Sequence, residues 1–500
     1  MTHTTSATPT VDDADGGLDR RLIALGTVVV LGAIMPILDA TIVNVATRTI
    51  GEDFRTSIST LQWVLTGYLL GFAAVIPATG WAAQRFGSKR VFVSALALFA
   101  VSSALAGSAV SIGELIGFRV LQGIGGGMIM PVGQLIVAQV AGQKRIGRVM
   151  SMLGVPMLLG SVIGPVLGGL ILSGASWRWI FFINPPIGVI TIALAVRLLP
   201  SGRPGAGGHL DLRGLVLLCG GVATLTYGVS RAGAAGGFGG LTPALLGVGV
   251  LLLALYAIHA RARGNRAPID VTLLRYRGFG AAMLTNLVVT GALFGMLALL
   301  PLYWQIVRGA GPMATGLLLM PQAAGAAVAL PFAGRLTDRV GAAVVVPAGI
   351  ILGLVGIAAY TQVGASTPYA VLACALFVLG LGLGATFVPL MAAAYQGLPR
   401  AAMGSVTGAL NTVQRLGGSV GTALLTVLLS EAVTRQVPSL RGGAVFGMLP
   451  STVRAQFAPA LSRAFAASFW VAFAITAAAL IPALLLPRKQ PRIPEEGKQQ

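Results

Sequence analysis

One aspartate and two arginines lie deep within apolar stretches of this sequence, where charged side chains are costly and rare. Asp39 stands in ILDATIVNVA, and Arg119 stands in FRVLQGIGGGMIMP. Apolar surroundings disfavour an ionised carboxyl group, whereas a neighbouring guanidinium stabilises it. If a conformational change separates the two, the carboxylate takes up a proton. Asp39 and Arg119 are therefore a candidate proton switch, and the alternative is a permanently paired, structural aspartate.

The residues that follow Arg119 have helical periodicity. Gln122, Gly126 and Met130 come at i+3, i+7 and i+11, so they share one face of a helix with Arg119. This pattern predicts that the guanidinium points into a helix bundle. The alternative is a structural arginine that only caps backbone carbonyls.

Other polar and aromatic residues in the apolar stretches could line a mostly apolar cavity for a small-molecule substrate. Each could instead make a hydrogen bond between helices. Two arginines against one aspartate in these stretches argue against a dicationic substrate, since a cation needs a spare carboxylate. The candidate cavity residues are Asn44, Gln62, Trp63, Tyr68, Gln122, Met130, Tyr303, Gln305, Asn411 and Arg415.

The elements that would position these residues are membrane-spanning helices. The 500-residue chain is 55% hydrophobic and 10% charged, whereas about a quarter of the residues in soluble proteins are charged. Apolar stretches of about twenty residues, each able to cross about 30 Å of hydrocarbon, recur along the whole chain. They predict an all-α membrane protein with fourteen transmembrane helices, two of them at 112–139 and 149–173.

The net charge of +20 does not indicate nucleic-acid binding, because the basic residues lie in short loops rather than on one surface. Most of them fall in alternate loops, which predicts that both termini are cytoplasmic. The first twenty residues lack the basic start of a signal peptide. Cys219 and Cys374 lie in apolar stretches away from ligand-type residues, so we predict neither a disulfide nor a metal site.

A loop pattern occurs twice. The sequence GWAAQRFG at 80–87 resembles GRLTDRVG at 334–341, which predicts two parallel six-helix halves with two surplus helices between them. The predicted organisation is a disordered cytoplasmic tail at 1–20, a six-helix bundle at 21–200, two linker helices at 211–261, a cytoplasmic linker at 262–278, a six-helix bundle at 279–487 with an extracytoplasmic loop at 429–466, and a cytoplasmic tail at 488–500.

These loops and a glycine-rich span predict gating and close helix packing. Basic loop residues could lock helices by charge pairing and by capping helix ends, or they could simply anchor the loop in the cytoplasm. GSVIGPVLGGLI has small residues at every fourth position and a proline, as closely packed membrane helices do, with or without a further role. The candidate gating and packing residues are Gly80, Arg85, Gly87, Lys89, Gly160, Gly164, Pro165, Gly168, Gly334, Asp338 and Arg339.

Together the motifs resemble the fourteen-span drug:proton antiporter branch of the major facilitator superfamily, over about residues 20–490. LDATIVNVA is similar to its first-span motif, GWAAQRFGSKRV to its loop motif, FRVLQGIGGG to its fourth-span arginine motif and GSVIGPVLGGLI to its antiporter motif. The resemblance implies a major facilitator fold of two six-helix bundles plus two extra helices. It also implies export of amphipathic or hydrophobic small molecules, such as drugs, natural products or lipids, in exchange for protons.

The chain departs from the family pattern in two places. Gln84 and Ser88 replace the usual aspartate and basic residue of the loop motif, so the first copy lacks its customary carboxylate pair. The first-span motif ends in Ala46, Thr47 and Arg48 instead of a proline. The departures affect gating and leave the predicted fold unchanged.

Two other functions remain open. One is import or facilitated diffusion of a small nutrient, and the other is a membrane receptor or assembly factor on a transporter scaffold. The sequence contains no nucleophile–base set or Walker loop, so we do not expect an enzyme. We expect a monomer in the plasma (inner) membrane that binds a small molecule and needs no cofactor other than protons as the coupling ion.

Overall fold

In a computed structural model of the chain, all of the regular secondary structure within the described part is helical. The described residues are 20–56, 58–200, 211–235, 239–264, 267–396, 398, 402–437 and 451–487. The tails predicted at 1–20 and 488–500 lie outside these ranges, apart from residue 20, as does the centre of the predicted loop at 429–466. The helices are α1 (Arg20–Asp53), α2 (Ile58–Val75), α3 (Thr79–Phe86), α4 (Ser88–Gly107), α5 (Ile112–Gly174), α6 (Trp179–Phe182), α7 (Asn184–Leu198), α8 (Leu212–Ala235), α9 (Thr242–Arg263), α10 (Arg277–Leu302), α11 (Pro312–Val340), α12 (Ala342–Thr361), α13 (Tyr369–Tyr395), α14 (Met403–Gln436), α15 (Ser451–Ala478) and α16 (Leu480–Ala483).

Among the described residues, 13 helical segments are long and apolar enough to cross a membrane. The remaining predicted span, 149–173, lies in the second half of α5, which is continuous over 63 residues. The sequence predicted two separate helices at 112–139 and 149–173. The structure joins them, and the connecting residues AGQKRIGR contain no proline that would interrupt helical hydrogen bonding.

The α5 helix nevertheless reverses its direction, because both of its halves pack on the same part of α1. A Cβ atom on Gly126 would lie 3.2 Å from Cβ of Pro36, and one on Gly168 would lie 3.2 Å from Cγ2 of Ile42. A straight helix would hold Gly126 and Gly168 about 63 Å apart, whereas Pro36 and Ile42 are about 9 Å apart along α1. The two halves of α5 are therefore two crossings, which brings the total to the predicted fourteen.

The crossings form two six-helix bundles with two further helices beside them. The first bundle contains α1, α2 with its continuation α3, α4, both halves of α5, and α7, and the second contains α10 to α15. Helices α8 and α9 pack against each other, and α8 contacts α2 of the first bundle and α14 of the second. This confirms the predicted fold class, an all-α membrane protein with two six-helix bundles plus two extra helices.

Within the described chain, the two bundles share a hydrophobic core at one end of the molecule. We call the end that carries Gly80 and Gly404 the closed end. There, one cluster of buried apolar side chains includes Phe92 of the first bundle and Phe279 of the second. At the opposite end each bundle has a separate core. The bundles are therefore joined at the closed end.

The sequence repeat is also a repeat in backbone conformation. Gly87 and Gly341, the last residues of the two copies, have φ angles of 88° and 89°, a left-handed conformation in which glycine avoids the steric cost of a Cβ atom. Each glycine separates two consecutive helices. Close by, the ammonium group of Lys89 donates to the carbonyl oxygens of Val196 and Leu199 at 2.7 and 2.8 Å. Lys89 therefore caps the end of α7, where carbonyls lack helical partners and a positive charge is favourable.

Candidate functional site

Asp39 and Arg119 form a buried ion pair in the first bundle. The Nη1 atom of Arg119 lies 2.5 Å from Oδ2 of Asp39, and both side chains are 0% exposed. Helix α1 supplies the acid and the first half of α5 supplies the base. Within the described part of the chain, these are the only charged residues among the fully buried ones. The two residues singled out from the sequence therefore lie in direct contact.

Two amide side chains complete the surroundings of the Asp39 carboxylate. Gln122 donates from Nε2 to Oδ1 of Asp39 at 2.8 Å, and its Oε1 accepts from Nη1 of Arg119 at 2.7 Å. Asn184 donates from Nδ2 to the same Oδ1 at 3.5 Å and to Oγ of Ser103 at 3.0 Å. Both carboxylate oxygens thus accept hydrogen bonds, as a buried charge requires. The four residues and Arg119 form one polar network inside an apolar bundle.

Helix α2 holds the other side of the Arg119 guanidinium. The Nε atom donates to the carbonyl oxygen of Val64 at 3.2 Å, and Cζ lies 4.2 Å from the ring centroid of Tyr68. The Tyr68 hydroxyl donates to the carbonyl oxygen of Pro36 at 3.2 Å, which fixes the ring between α1 and α2. A desolvated cation–π contact of this kind contributes about 2 kcal/mol. Carbonyl capping, the alternative role for Arg119, thus accounts for one of its contacts and not for the others.

Sequence reasoning did not select Asn184 or Ser103. Asn184 begins α7 in the run FFINPPIG, and Ser103 lies in α4. An amide in an otherwise apolar run was the available signal for Asn184. A single serine in a span carries no comparable signal, because its hydroxyl can bond to its own helix.

A stripe of α14 faces the first bundle. Gly404, Gly408, Asn411 and Arg415 follow at i, i+4, i+7 and i+11, so they share one helix face. The Nδ2 atom of Asn411 donates to Oε1 of Gln134 at 2.8 Å, which joins α14 to α5 across the two bundles. The polar bridge lies on the same stripe as the glycine contact of the closed end.

The predicted cavity residues lie in several places. Tyr68 and Gln122 belong to the ion-pair network, and Asn411 belongs to the contact between the bundles. Arg415 also lies between the bundles, with Cζ 4.0 Å from the ring centroid of Phe72 in α2. The structure thus brings four of the predicted cavity residues to the ion-pair network or to polar and cation–π contacts between the bundles.

The other predicted cavity residues do not join that group. Tyr303 is 0% exposed, its ring centroid is 5.8 Å from that of Phe465, and its hydroxyl donates to a backbone oxygen. It is therefore a packing residue in the core of the second bundle. Trp63 is 41% exposed and its ring contacts Tyr227 of α8 at 5.7 Å. Gln305 is half-buried in a π-helical turn, Met130 packs against the shared core, and the side chains of Asn44 and Gln62 lie outside the described residues.

The glycines of the fifth span pack directly on α1. A Cβ atom on Gly164 would collide with Oγ1 of Thr41, two residues beyond Asp39. Gly168 contacts Ile42 one turn further along α5. Gly160 and Pro165 belong to the same predicted set, and their surroundings lie outside what the structure describes. The close packing thus occurs beside the ion pair.

The loop copies lie at the surface of the two bundles. A Cβ atom on Gly80 would collide with the carbonyl oxygen of Gly404, and one on Gly404 would lie 2.8 Å from Nε2 of Gln84. Gln84, which replaces the customary aspartate, therefore lies at the contact between the bundles. In the loop copies Gly80, Gly87 and Gly334 are buried, Asp338 is half-buried, and Arg85 and Arg339 are exposed.

Gly80→Ala is expected to separate the bundles at the closed end. The added Cβ would overlap a backbone oxygen of Gly404, which cannot rotate away as a side chain can. Gly408→Ala, on the same stripe of α14, is the matched control. Its Cβ would meet only ordinary contacts, the nearest being Cγ1 of Ile269 at 3.7 Å.

Spin labels on cysteines introduced at Phe86 and Gln396 would report the separation as a distance measured by double electron–electron resonance. Both positions are exposed near the closed end, and the background chain would carry serine in place of Cys219 and Cys374. We expect a longer distance in Gly80→Ala and the wild-type distance in Gly408→Ala. The same distance in all three proteins would show that the Gly80 contact does not close this end.

No metal-ligand cluster occurs among the described residues, since no three His, Cys, Asp or Glu side chains are grouped to hold an ion. The chemistry of the buried network is that of one carboxyl group, one guanidinium and neutral hydrogen-bonding groups. A carboxyl group in such a network can bind and release a proton when its charged partner moves.

Comparison with known proteins identifies relatives over most of the chain. The family model of the Major Facilitator Superfamily matches residues 29–422. A protein named Multidrug resistance protein B homolog from Mycobacterium tuberculosis (strain ATCC 25618 / H37Rv) is 40% identical over 497 residues, which cover 95% of this chain and 91% of that protein. Putative multidrug resistance protein MdtD from Serratia proteamaculans (strain 568) is 31% identical and covers 82% of this chain and 86% of its own length.

Solved structures of the same fold also match. The proton:xylose symporter XylE has a TM-score of 0.63 at 14% identity, with 94% of this chain and 96% of that chain covered. The human organic anion transporter MFSD10 has a TM-score of 0.59 at 16% identity, with 92% and 100% covered. At these identities the structures show a shared fold alone. The sequence matches show the family: this chain belongs to the major facilitator superfamily, and it is a multi-pass membrane transporter rather than an enzyme.

Proposed function

We propose that this transporter exports amphipathic or hydrophobic small molecules in exchange for protons, by alternating access between its two bundles. Protons are the coupling ion and no other cofactor takes part. The transporter acts as a monomer in the plasma (inner) membrane, with both termini in the cytoplasm and the closed end facing the cytoplasm. The observation that carries the proposal is the buried ion pair of Asp39 and Arg119.

The ion pair can work as a proton switch because its members belong to different helices. In the present conformation Arg119, Gln122 and Asn184 all hydrogen-bond the carboxylate of Asp39. If α1 and α5 shift, the carboxylate loses its charged partner inside an apolar bundle. An isolated carboxylate there is very costly, so it binds a proton instead. Proton binding and helix movement are thereby linked.

The contacts between the bundles support alternating access. The shared core, the Gly80–Gly404 contact and the Asn411–Gln134 hydrogen bond join the bundles at or near the closed end. These contacts must break for that end to open. Since Thr41 packs on Gly164 two residues from Asp39, a tilt that moves α5 against α1 also disturbs the ion pair.

Two features support export of drug-like molecules. Two relatives that match over most of the chain carry names that refer to multidrug resistance. The fifth span has the Gly–Pro pattern of antiporters, and its Gly164 and Gly168 pack tightly on α1. These observations favour export over nutrient import, and they leave the charge of the substrate open.

The test is proton movement driven by substrate in reconstituted liposomes that contain a trapped pH dye. A panel of hydrophobic cationic, neutral and anionic dyes is supplied on one side with no imposed pH gradient. We expect that at least one dye moves across the membrane and drives protons in the opposite direction. Dye transport without proton movement, or with protons in the same direction, would refute the antiport.

A further inference from the structure

Arg415 is the second arginine that lies deep in a membrane-spanning helix, and its surroundings differ from those of Arg119. It is the thirteenth residue of the 34-residue helix α14. Asn411, one turn earlier, is hydrogen-bonded to Gln134 of the other bundle. Arg415 faces the same way, one turn further from the closed end. It therefore lies between the bundles, beyond the contacts that seal the closed end.

The guanidinium of Arg415 contacts an aromatic ring instead of an acid. Its Cζ lies 4.0 Å from the ring centroid of Phe72 in α2. Within the described chain, no hydrogen bond or ion pair joins Arg415 to another residue. Arg119, by contrast, is bound to Asp39, Gln122 and a backbone oxygen. The side chain of Arg415 is only half-buried, so the guanidinium retains an accessible surface.

An unpaired guanidinium at this depth needs an acceptor. Arginine carries five N–H donors and stays charged at all physiological pH values. Charged residues within membrane spans pair with an acid or face a cavity that serves a substrate. Because Phe72 of the first bundle covers one face of the guanidinium, Arg415 faces the gap between the bundles rather than lipid. A carboxylate or sulfonate can meet its N–H groups in a two-point hydrogen bond.

We propose that Arg415 binds the anionic group of the transported molecule, so that the substrates of this exporter are monoanionic amphiphiles with one carboxylate or sulfonate and an apolar body. The ring of Phe72 beside the guanidinium provides an apolar surface against which the body of such a substrate can pack. The inference rests on the proposed function, and it supplies the substrate class that the function leaves open.

The proposed site adjoins the proton switch through two aromatic rings. Phe72 contacts Tyr68 with a centroid distance of 5.9 Å, and Tyr68 lies under the guanidinium of Arg119. The rings thus form a continuous row from Arg415 to the Asp39–Arg119 pair. A substrate that displaces Phe72 from Arg415 would disturb the packing that fixes Tyr68 under Arg119.

A pair of fluorescent probes with the same apolar body tests the proposal. Pyrenebutyrate carries a carboxylate, and pyrenebutanol carries a neutral hydroxyl in its place. Binding of each probe is measured on the full chain in nanodiscs, against empty nanodiscs, without any proton gradient. In the wild type we expect pyrenebutyrate to bind about 10- to 100-fold more tightly than pyrenebutanol, the effect of a hydrogen-bonded charge pair.

Three variants make the test specific. Arg415→Gln should remove the preference for the acid and leave pyrenebutanol binding unchanged, whereas Arg415→Lys should keep most of the preference because it keeps the charge. Arg435→Gln is the control, since Arg435 lies on the same helix and its side chain is 81% exposed. Equal binding of the two probes to the wild type would overturn the proposal. So would a loss of both probes together in Arg415→Gln and Arg415→Lys, which would show a structural role.

The outcome is separate from that of the proton experiment. Binding without a gradient does not require proton exchange, so a failure of antiport would leave the acid preference of the wild type in place. Conversely, if the transporter exchanges protons for pyrenebutanol as well as it does for pyrenebutyrate, the proposed function stands and the proposed substrate class is refuted.

Discussion

Asp39→Asn is expected to abolish uphill export while leaving passive exchange of substrate across the membrane. Asparagine keeps the size of the side chain and an oxygen that can accept from Arg119, so the helix contacts around it can persist. The buried Arg119 then lacks a counter-charge, which costs about 3–5 kcal/mol of stability, so folding of the variant is checked before transport is measured. Asparagine cannot bind and release a proton, so it cannot couple the two gradients. Accumulation of the transported dye in everted vesicles energised by respiration, and exchange of labelled dye in liposomes, would test this expectation.

The expected loss is large when the transported dye is a neutral member of the panel, because the proton then supplies all of the driving force. One proton that crosses a potential of 100 mV provides about 2.3 kcal/mol, and one pH unit adds about 1.4 kcal/mol. The total of about 3.7 kcal/mol permits roughly 500-fold accumulation. In Asp39→Asn this limit falls to equal concentrations on the two sides.

Asp53→Asn is the matched control because it removes a carboxylate from the C-terminal end of the same helix. Asp53 accepts hydrogen bonds from the indole of Trp177 at 2.9 Å and from the guanidinium of Arg178 at 3.0 Å. The hydrogen bond from the Trp177 indole, and after it the one from Arg178, hold the pKa of Asp53 below its ordinary value of 3.8. Asp53 is therefore ionised at neutral pH. We expect Asp53→Asn to accumulate dye as the wild type does. Full accumulation by Asp39→Asn would mean that Asp39 is a structural residue.

The ion pair could be predicted from the sequence because a charge inside an apolar span demands a partner. Asp39 and Arg119 are opposite charges within apolar spans, so each is a candidate partner for the other. The helical spacing places Gln122 on the same side of its helix as Arg119. The contribution of Asn184 and Ser103 could not be predicted. It depends on how α7 and α4 are rotated and shifted against α1, and hydropathy defines neither quantity. The same limit applies to the Asn411–Gln134 hydrogen bond between the bundles.

Aromatic residues were the least predictable members of the site. Tyr68, Trp63 and Tyr303 all lie in apolar spans, and the sequence assigned all three to one cavity. The structure places Tyr68 under Arg119, Trp63 beside α8 and Tyr303 in the core of the second bundle. An aromatic ring is stable against lipid, in a core or next to a cation, so residue type alone does not distinguish these environments.

The boundaries between consecutive helices were also harder to predict than their number. Fourteen crossings follow from apolar lengths, and the repeated loop correctly indicated paired bundles. The sequence placed a break between 112–139 and 149–173, whereas α5 continues through it. Polar, helix-compatible residues resemble a loop in a hydropathy profile, yet the structure assigns them helical conformation.

Arg119→Gln is expected to destabilise the protein by about 3–5 kcal/mol at neutral pH, the cost of leaving one member of a buried ion pair uncompensated. Asp39 would retain donors from Gln122 and Asn184 but would lose its charged partner. The protein would also lose the contacts of the guanidinium with Tyr68 and Val64. Thermal unfolding of the purified variants, followed by tryptophan fluorescence, measures the effect.

The double variant Asp39→Asn/Arg119→Gln separates loss of the charge pair from loss of packing. With both charges removed, no uncompensated charge remains, so the double variant should be more stable than Arg119→Gln alone, a non-additive result. If the double variant is no more stable than Arg119→Gln, Asp39 does not carry the charge that Arg119 balances, and the proton switch loses its physical basis.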